Sequence, residues 1–396
     1  MRYDLIIVGG GLAGSALGKS MAERGARVLI LERERQFRDR VRGEQVHPWG
    51  VAEARALGLY EALAAMGAHE VRWWSTYRES DLVRRRDLVE SSPHRAGSLN
   101  FYHPSMQETL LSSAATAGAE VRRGVTVTKV SPGGPPTVHV QGNGSDKTYE
   151  ARLVIGADGR QSRVRHWASF TISQEEKWLV ISGVLLDGMK AADDGNHTFR
   201  PSSFGQAALL FPLARGRFRA YLATGRRADH RWLRGHDHFE NFVTYAVASG
   251  APVDWFSSAK VAGPLATFEA ADVWVDQPYK DGVALVGDAA LSSDPCFGCG
   301  LSLTLRDIRV LRDRLLAIDD WSRAAEEYAA EHDRYSLALR TLMSWLRSVL
   351  YGLGAEADRL REHALPRFAD GSGPDIIGIG PECPADESAR IRFLGA

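Results

Sequence analysis

Cysteine is scarce, with three in 396 residues. That excludes a disulfide framework and suits a reducing cytosol, so a cytoplasmic location is expected. Net charge is absent as well. Lys plus Arg and Asp plus Glu both number 49, which argues against bulk attraction to nucleic acid or an anionic membrane. No stretch approaches the roughly 20 apolar residues of a membrane span. The N-terminal apolar run is too short for a signal-peptide h-region, and a glycine turn interrupts it. Repeats of long period and low-complexity segments are missing. The short basic run Arg84-Arg85-Arg86 reads as a solvated face. A chain of this length holds two or three domains and buries about three quarters of its unfolded surface, so its core needs no staples.

What is present begins at once. Tyr3-Asp-Leu-Ile-Ile-Val8 is a short β-branched run, followed by Gly9-Gly10-Gly11-Leu12-Ala13-Gly14 and a helical pattern through Arg24. A second apolar run, Arg27–Leu31, ends in Glu32. Strand, glycine turn, helix, strand and acid in this order predict a dinucleotide site, with a ligand-free glycine turn in a parallel sheet as the alternative. Gly9 permits the tight turn, and Gly11 lets backbone approach a pyrophosphate at the helix N-terminus. Gly14 lets the helix pack on the strand. Glu32 stands where a carboxylate accepts both hydroxyls of an adenosine ribose.

Residues 33–42 carry five arginines. One of them, with Arg33 and Arg42 as candidates, suits bidentate clamping of a pyrophosphate. A solvated connection is the other reading. Gly43–Gly50 follows, then a helix to about Leu57. Residues 71–90 alternate polar and apolar and read as one or two strands leaving the nucleotide domain. Tyr102–Gly118 reads as a helix and Glu120–Val130 as a strand. Pro132–Pro136 is a turn, and Thr137–Val140 and Lys147–Arg152 are strands joined by Gly142-Asn143-Gly144. Leu153–Gly159 is a buried strand ending in Asp158-Gly159, with Ser162 and Arg165 beyond. Residues 171–274 contain strand candidates at Leu179–Leu186, Ala207–Phe211 and Phe218–Thr224, and read as an antiparallel sheet. Gly282–Ala290 is another apolar strand ending in Gly287-Asp288. Pro295-Cys-Phe-Gly-Cys-Gly300 precedes a helix from Leu301 to about Ile318. An amphipathic helix covers about Trp321–Leu350, and the tail from Pro366 reads as an irregular strap.

Three separated signals converge: Gly9-x-Gly11-x-x-Gly14, Asp158-Gly159-x-x-Ser162-x-x-Arg165, and Gly287-Asp288 with Pro295-x-x-Gly298-x-Gly300. From residue 1 to about 310 the chain resembles the FAD-dependent aromatic hydroxylases, the group A flavoprotein monooxygenases related to p-hydroxybenzoate hydroxylase. The resemblance implies an α/β fold, with a Rossmann-like, three-layer FAD domain carrying an inserted antiparallel-sheet substrate domain. The expected division is FAD domain at 1–70, 96–170 and 275–320, substrate domain at 71–95 and 171–274, and a C-terminal helix and tail at 321–396.

It also implies roles. Gly9, Gly11 and Gly14 hold the FAD pyrophosphate, and Glu32 the adenosine ribose. Arg42 resembles the arginine that closes over the cofactor, and Val127 offers backbone near the adenine. Asp158 resembles the family's Asp-Gly aspartate, tied to both FAD and pyridine nucleotide. Asp288 binds the ribityl chain. Pro295 belongs to the cofactor-binding stretch, and Gly298, Gly300 and Leu301 bring backbone N–H groups and a helix N-terminus to the flavin pyrimidine, where the reduced ring carries negative charge. Departures from the pattern are Leu291 after Gly-Asp-Ala-Ala, where histidine is frequent, His103 where arginine or glutamine is common, with Gln107 one turn on as its substitute, and Cys299 where glutamine is frequent.

The implied activity is hydroxylation or epoxidation of an aromatic or other activated small molecule with NADPH or NADH and O₂, through a flavin C4a-hydroperoxide. The nicotinamide nucleotide visits transiently, since no second glycine-turn fold follows. His47 is the candidate base for activating a phenol. Phe204, Phe211 and Tyr221 are candidates for the substrate face, with core packing as the alternative. Cys296-x-x-Cys299 is read as two small residues in a tight loop rather than a redox pair. No metal is expected, because a zinc site needs a second ligand pair and only Cys383 remains. Two other classes share the scaffold. Reductases of isoprenoid double bonds, of the geranylgeranyl-reductase kind, stay open. Halogenases are disfavoured because none of the ten tryptophans lies in a Trp-x-Trp-x-Ile-Pro stretch.

Overall fold

The computed structural model describes residues 2–142, 145–225 and 233–395. Of the connection read at Gly142-Asn143-Gly144, the last two residues lie outside the described ones. Five parallel strands stand in the order Val283–Leu285, Ser145–Gly156, Arg2–Val8, Val28–Glu32, Glu120–Arg123.

The first strand shows why the sheet has two covered faces. Leu5 and Ile7 point into a core with Ala16 and Leu17 of helix Leu12–Ala22, Leu110 of helix His103–Thr116, and Leu303 and Ile308 of helix Gly300–Ala317. Ile6 and Val8, one residue out of phase, pack on Val130, Val138 and Tyr149 of an antiparallel meander. Helices, parallel sheet and meander make the three layers. A one-residue slip would swap the two faces, and each buried aliphatic side chain contributes roughly 1.5–3 kcal/mol to holding the register.

The second sheet is mostly antiparallel. Its strands run Leu179–Asp187, Arg217–Gly225, Gln206–Pro212, Gly195–Arg200, Trp73–Arg78, Asp81–Asp87. Trp73–Arg78 joins Gly195–Arg200 in parallel, so the early hairpin lies in this sheet. One face, with Val184, Phe199, Leu210 and Leu222, packs under helix Phe239–Ala248. The other, with Ile181, Leu209, Phe211 and Tyr221, faces the nucleotide fold.

Several boundaries differ from the sequence reading. Glu120–Val130 is two strands, Glu120–Arg123 and Thr126–Ser131, because Gly124 turns the chain at φ +69°. Lys147–Arg152 and the strand after it are one, Ser145–Gly156. Its first half pairs antiparallel with Thr137–Gly142 and its second half parallel with Arg2–Val8. Gly282–Ala290 keeps only Val283–Leu285 as strand, and Gly287–Ala289 is a 3-10 turn.

The long helix Trp321–Tyr351 agrees with its periodicity and is capped by Asp320, whose carboxylate accepts from the Ser322 and Arg323 amides. The tail is not irregular from Pro366. Helix Ala355–Asp370 runs through that proline to a left-handed Gly371, and Glu387–Leu394 is a further helix.

Between them a strap is tied down. Trp49 Nε1 donates to the Ile376 carbonyl at 3.0 Å and Ser92 Oγ to that of Gly378 at 3.1 Å. Arg86 grips Asp375 bidentately, both bonds 2.6 Å, and Arg84 donates to the Phe368 carbonyl at 2.9 Å. Arg85 pairs with Asp194. Of the basic run read as a solvated face, Arg84 and Arg86 anchor the strap, while Arg85 stays exposed. Among the described residues, no helix is long and apolar enough to cross a membrane.

Candidate active site

A cavity of about 1100 Å³ lies between the two sheets. Its floor is the glycine turn. Gly9 sits at φ +106°, and a Cβ there would fall on the Ala157 carbonyl. A Cβ on Gly11 would meet only Gln107 Nε2, at 3.6 Å, so its open side is the cavity itself. Gly14 does not reach the cavity. A Cβ there would strike the Gly9 carbonyl, so this glycine serves the close approach of helix to strand.

Glu32 is buried at one end of the cavity. Its two oxygens accept from the Gly10 and Glu34 amides, both at 2.7 Å. That fixes the carboxylate and leaves lone pairs for ribose hydroxyls. Arg33 is on the rim beside it, and Val127 is in the wall from the meander.

The Asp158 and Asp288 turns meet at mid-cavity. Asp158 Oδ2 accepts from the amides of Arg163 (2.7 Å) and Val164 (3.2 Å), while Oδ1 is buried without a partner. Buried Arg165 ties the two turns, donating to the carbonyls of Arg160 at 2.8 Å and Asp288 at 2.7 Å. The Asp288 carboxylate is half-buried and 3.9 Å from Arg42. Burial raises its carboxyl, and Arg42, Arg160 and Arg165 oppose that. Gly287, left-handed at φ +59°, donates to Asp307 Oδ2 at 2.8 Å, and Tyr335 holds the other oxygen at 2.6 Å.

Pro295, Gly298, Gly300 and Leu301 form the next stretch of wall. Asp294 caps the turn by accepting from the Cys296 amide at 2.9 Å, and Gly298 reverses the chain at φ +68° into helix Gly300–Ala317. Cys296 and Cys299 are both free and buried, and burial pushes both thiols up. At neutral pH neither is a thiolate.

The Arg42 loop is bolted to the second sheet. Tyr221 Oη donates to the Arg42 carbonyl at 2.7 Å. Arg219, fully buried on the same strand face, donates to Glu44 (2.6 and 3.1 Å) and Asp39 (2.7 Å). His103 closes the loop through Nδ1 and the Gly43 carbonyl at 2.7 Å, and Gln107 reaches Gly11. Phe204, Phe211 and Tyr221 all line the cavity, with Trp74 edge-on to Phe211.

His47 is placed elsewhere. It is fully buried and outside the cavity wall, with Nε2 donating to the Phe297 carbonyl at 2.8 Å and Nδ1 accepting from Gln45 Nε2 at 2.9 Å. The helix that starts at Pro48 turns the ring inward, where it fixes the 297 turn rather than offering a base. Burial pushes it from 6.5 down to about 4. Between those values the unfolded chain binds a proton that the folded one refuses, so His47 makes stability fall as pH drops through that window, by about 3 kcal/mol. Denaturant unfolding at pH 7 and pH 4.5 should show a smaller acid loss in His47→Gln than in the parent. Equal losses would remove His47 as the cause.

Sequence reasoning named Arg165 only as part of a motif and missed Arg219, Asp307 and Gln45. Gln45 closes the Arg-Gly-Glu-Gln stretch that Arg42 opens, whereas Arg219 and Asp307 stand in no motif and only the fold brings them to the site.

Residues 2–340 match the family described as FAD binding domain, and the chain belongs to that family. It is an FAD-dependent oxidoreductase. The motif-based resemblance is thus borne out. The chain is 23% identical to squalene epoxidase 1 of Arabidopsis thaliana over 99% of its own length and 73% of that enzyme's. It is 27% identical to digeranylgeranylglycerophospholipid reductase 2 of Methanopyrus kandleri over 77% of its length and 74% of the relative's. Its fold is similar to that of the p-nitrophenol 4-monooxygenase PnpA of Pseudomonas putida, with a TM-score of 0.79 at 17% identity over 95% of each chain.

FAD fits the residues present. The open side of Gly11, the fixed carboxylate of Glu32, the unpartnered Asp158 Oδ1 and the gap between Arg42 and Asp288 follow one another along the cavity.

Proposed function

We propose that this flavoprotein is a monooxygenase that uses NADPH or NADH and O₂ to hydroxylate or epoxidise a small aromatic or otherwise activated apolar substrate. The observation that carries the reading is the continuity of the cavity. Its polar half, at Gly9, Asp158 and Asp288, opens without a partition into an apolar half at Trp74, Leu209, Phe211 and Phe297. Bound FAD supplies hydride acceptance from the nicotinamide and activation of O₂.

In this reading Gly9 and Gly11 hold the pyrophosphate, with Gly14 setting the helix that receives it. Glu32, Arg33 and Val127 hold the adenosine end, and Asp158, Arg42 and Asp288 the middle. Pro295 opens the turn, and Gly298, Gly300 and Leu301 aim backbone N–H groups and the positive end of an 18-residue helix at the flavin ring, stabilising negative charge there. Tyr221 keeps the Arg42 backbone in place. The apolar walls exclude water from the reacting centre. Proton transfer is not routed through His47.

The similarity to a digeranylgeranylglycerophospholipid reductase favours a second reading, reduction of an isoprenoid double bond in the same cavity. One experiment separates them. Purified protein is checked for flavin absorbance, then given NADPH under ¹⁸O₂ with a panel of phenols, aryl acids and polyenes. A product heavier by one labelled oxygen is expected. A reduced, unlabelled product would establish the reductase. No flavin after reconstitution would overturn both.

A further inference from the structure

Most arginines around the cavity have partners. Arg86 holds Asp375, Arg84 the Phe368 carbonyl, Arg160 the Glu269 carbonyl, and Arg42 stands near Asp288. Arg38, Arg163, Arg78 and Arg200 do not follow this pattern, and of these only Arg78 and Arg200 stand on strands of the second sheet. Arg78 and Arg200 are direct partners on adjacent parallel strands, so both side chains leave the sheet on the same face. Both line the apolar half of the cavity. Among the described residues no carboxylate pairs with either. Glu79, next in sequence, turns away and accepts from the Ser202 amide at 2.7 Å.

Like charges directly opposite on neighbouring strands destabilise a sheet. A buried guanidinium nitrogen without an acceptor costs more. Arg200 Nη1 is such an atom. What the two side chains have instead is aromatic support. The Arg200 guanidinium lies 4.8 Å from the Tyr351 ring and that of Arg78 4.8 Å from the Phe204 ring. Two guanidiniums at paired strand positions, each backed by an aromatic ring and one with a nitrogen lacking an acceptor, suit the two oxygens of a carboxylate.

We propose that Arg78 and Arg200 form a carboxylate-binding subsite, with Arg200 as its anchor, so that the substrate is an aromatic or apolar carboxylic acid rather than a neutral hydrocarbon. The rest of such a molecule lies along Leu209, Phe211 and Phe297, toward the Gly298–Gly300 turn. The proposal rests on the reading that this half of the cavity holds the substrate. It makes Arg78 and Arg200 determinants of specificity.

The test measures binding, not turnover. Holoenzyme is titrated with 2-naphthoate and 4-phenylbutyrate and with their primary amides, following the absorbance of bound FAD and, independently, the tryptophan fluorescence to which Trp74 in the cavity wall contributes. Each acid is expected to bind at least tenfold more tightly than its amide, and the preference should shrink with added salt. Arg200→Met and Arg78→Met should each weaken acid binding about tenfold and leave amide binding unchanged. Arg200→Lys, which keeps the charge but not the fork, should fall between. Equal affinity of acid and amide in the parent, no acid binding at millimolar concentration, or a preference that survives both Met substitutions would overturn the subsite. An acid preference that stands while labelled oxygen fails to appear would sink the monooxygenase reading and leave the subsite in place.

Discussion

Arg219→Met is expected to lower the unfolding free energy by about 3–5 kcal/mol, the usual cost of removing one partner from a buried ion pair. Arg219 and Glu44 are both essentially without solvent exposure, and Asp39 is nearly so. Their attraction offsets the desolvation of three charges only while all three are present. Without the guanidinium, Glu44 retains the His103 amide (2.9 Å) and Asp39 that of Val41 (2.9 Å), which do not neutralise two carboxylates. Urea unfolding checks the size of the loss. The double variant Arg219→Met/Glu44→Met should recover a large part of it, because an apolar pair replaces the costliest desolvated charges. A loss below about 1 kcal/mol in the single variant would mean that water reaches this network.

The second large effect is expected at a glycine that does not line the cavity. Gly14→Ala places a methyl group on the Gly9 carbonyl and against the Ile7 side chain. Neither obstacle can rotate away, since one is backbone and the other is locked in the central sheet. Helix Leu12–Ala22 must move off the sheet, at a cost of roughly 1–3 kcal/mol or more, and the turn in front of it opens. The purified variant should hold less than a tenth of its FAD and melt earlier as apoprotein. Gly11→Ala is the control. Its methyl group has open space on the cavity side, so the apoprotein should melt like the parent while FAD is lost to direct obstruction. Flavin content and apoprotein melting temperature together distinguish the two. Full FAD retention in Gly14→Ala would refute the packing argument.

These two sites differ in how far sequence alone reaches. Gly9, Gly11, Gly14 and Glu32 were legible because a tight turn, a close approach and a fixed acid are local demands on backbone. Helix Trp321–Tyr351 was legible for the same reason, its apolar stripe repeating over 31 residues. Gly124 carried a signal that the alternation of Val121, Val125 and Val127 concealed. One glycine was enough to divert the chain from the parallel sheet to the meander. Pro366 misled because propensity is a local quantity. Ala364 and Phe368 pack against the main core on either side of it, and that burial outweighs one missing donor. His47 misled because nearness in sequence to Arg42 says nothing about direction. The partners of Arg219 and Arg86 were invisible, since an arginine in a strand gives no hint of a carboxylate more than a hundred residues away.

Arg165 reaches across 123 residues to hold the Asp288 carbonyl, and beside it Ile155 lies in register with Ala284. The chain therefore leaves the nucleotide fold and re-enters it at neighbouring points. Such an arrangement separates two kinds of inheritance. The departure and return are fixed by the cofactor, while the length and lining of what lies between can drift toward new substrates without disturbing it. That freedom has two fastenings: strand Trp73–Arg78, which the intervening sheet must still pair with, and the strap at Asp375, which must still close over it. A grafted sheet from a relative would be accepted or rejected at those two seams.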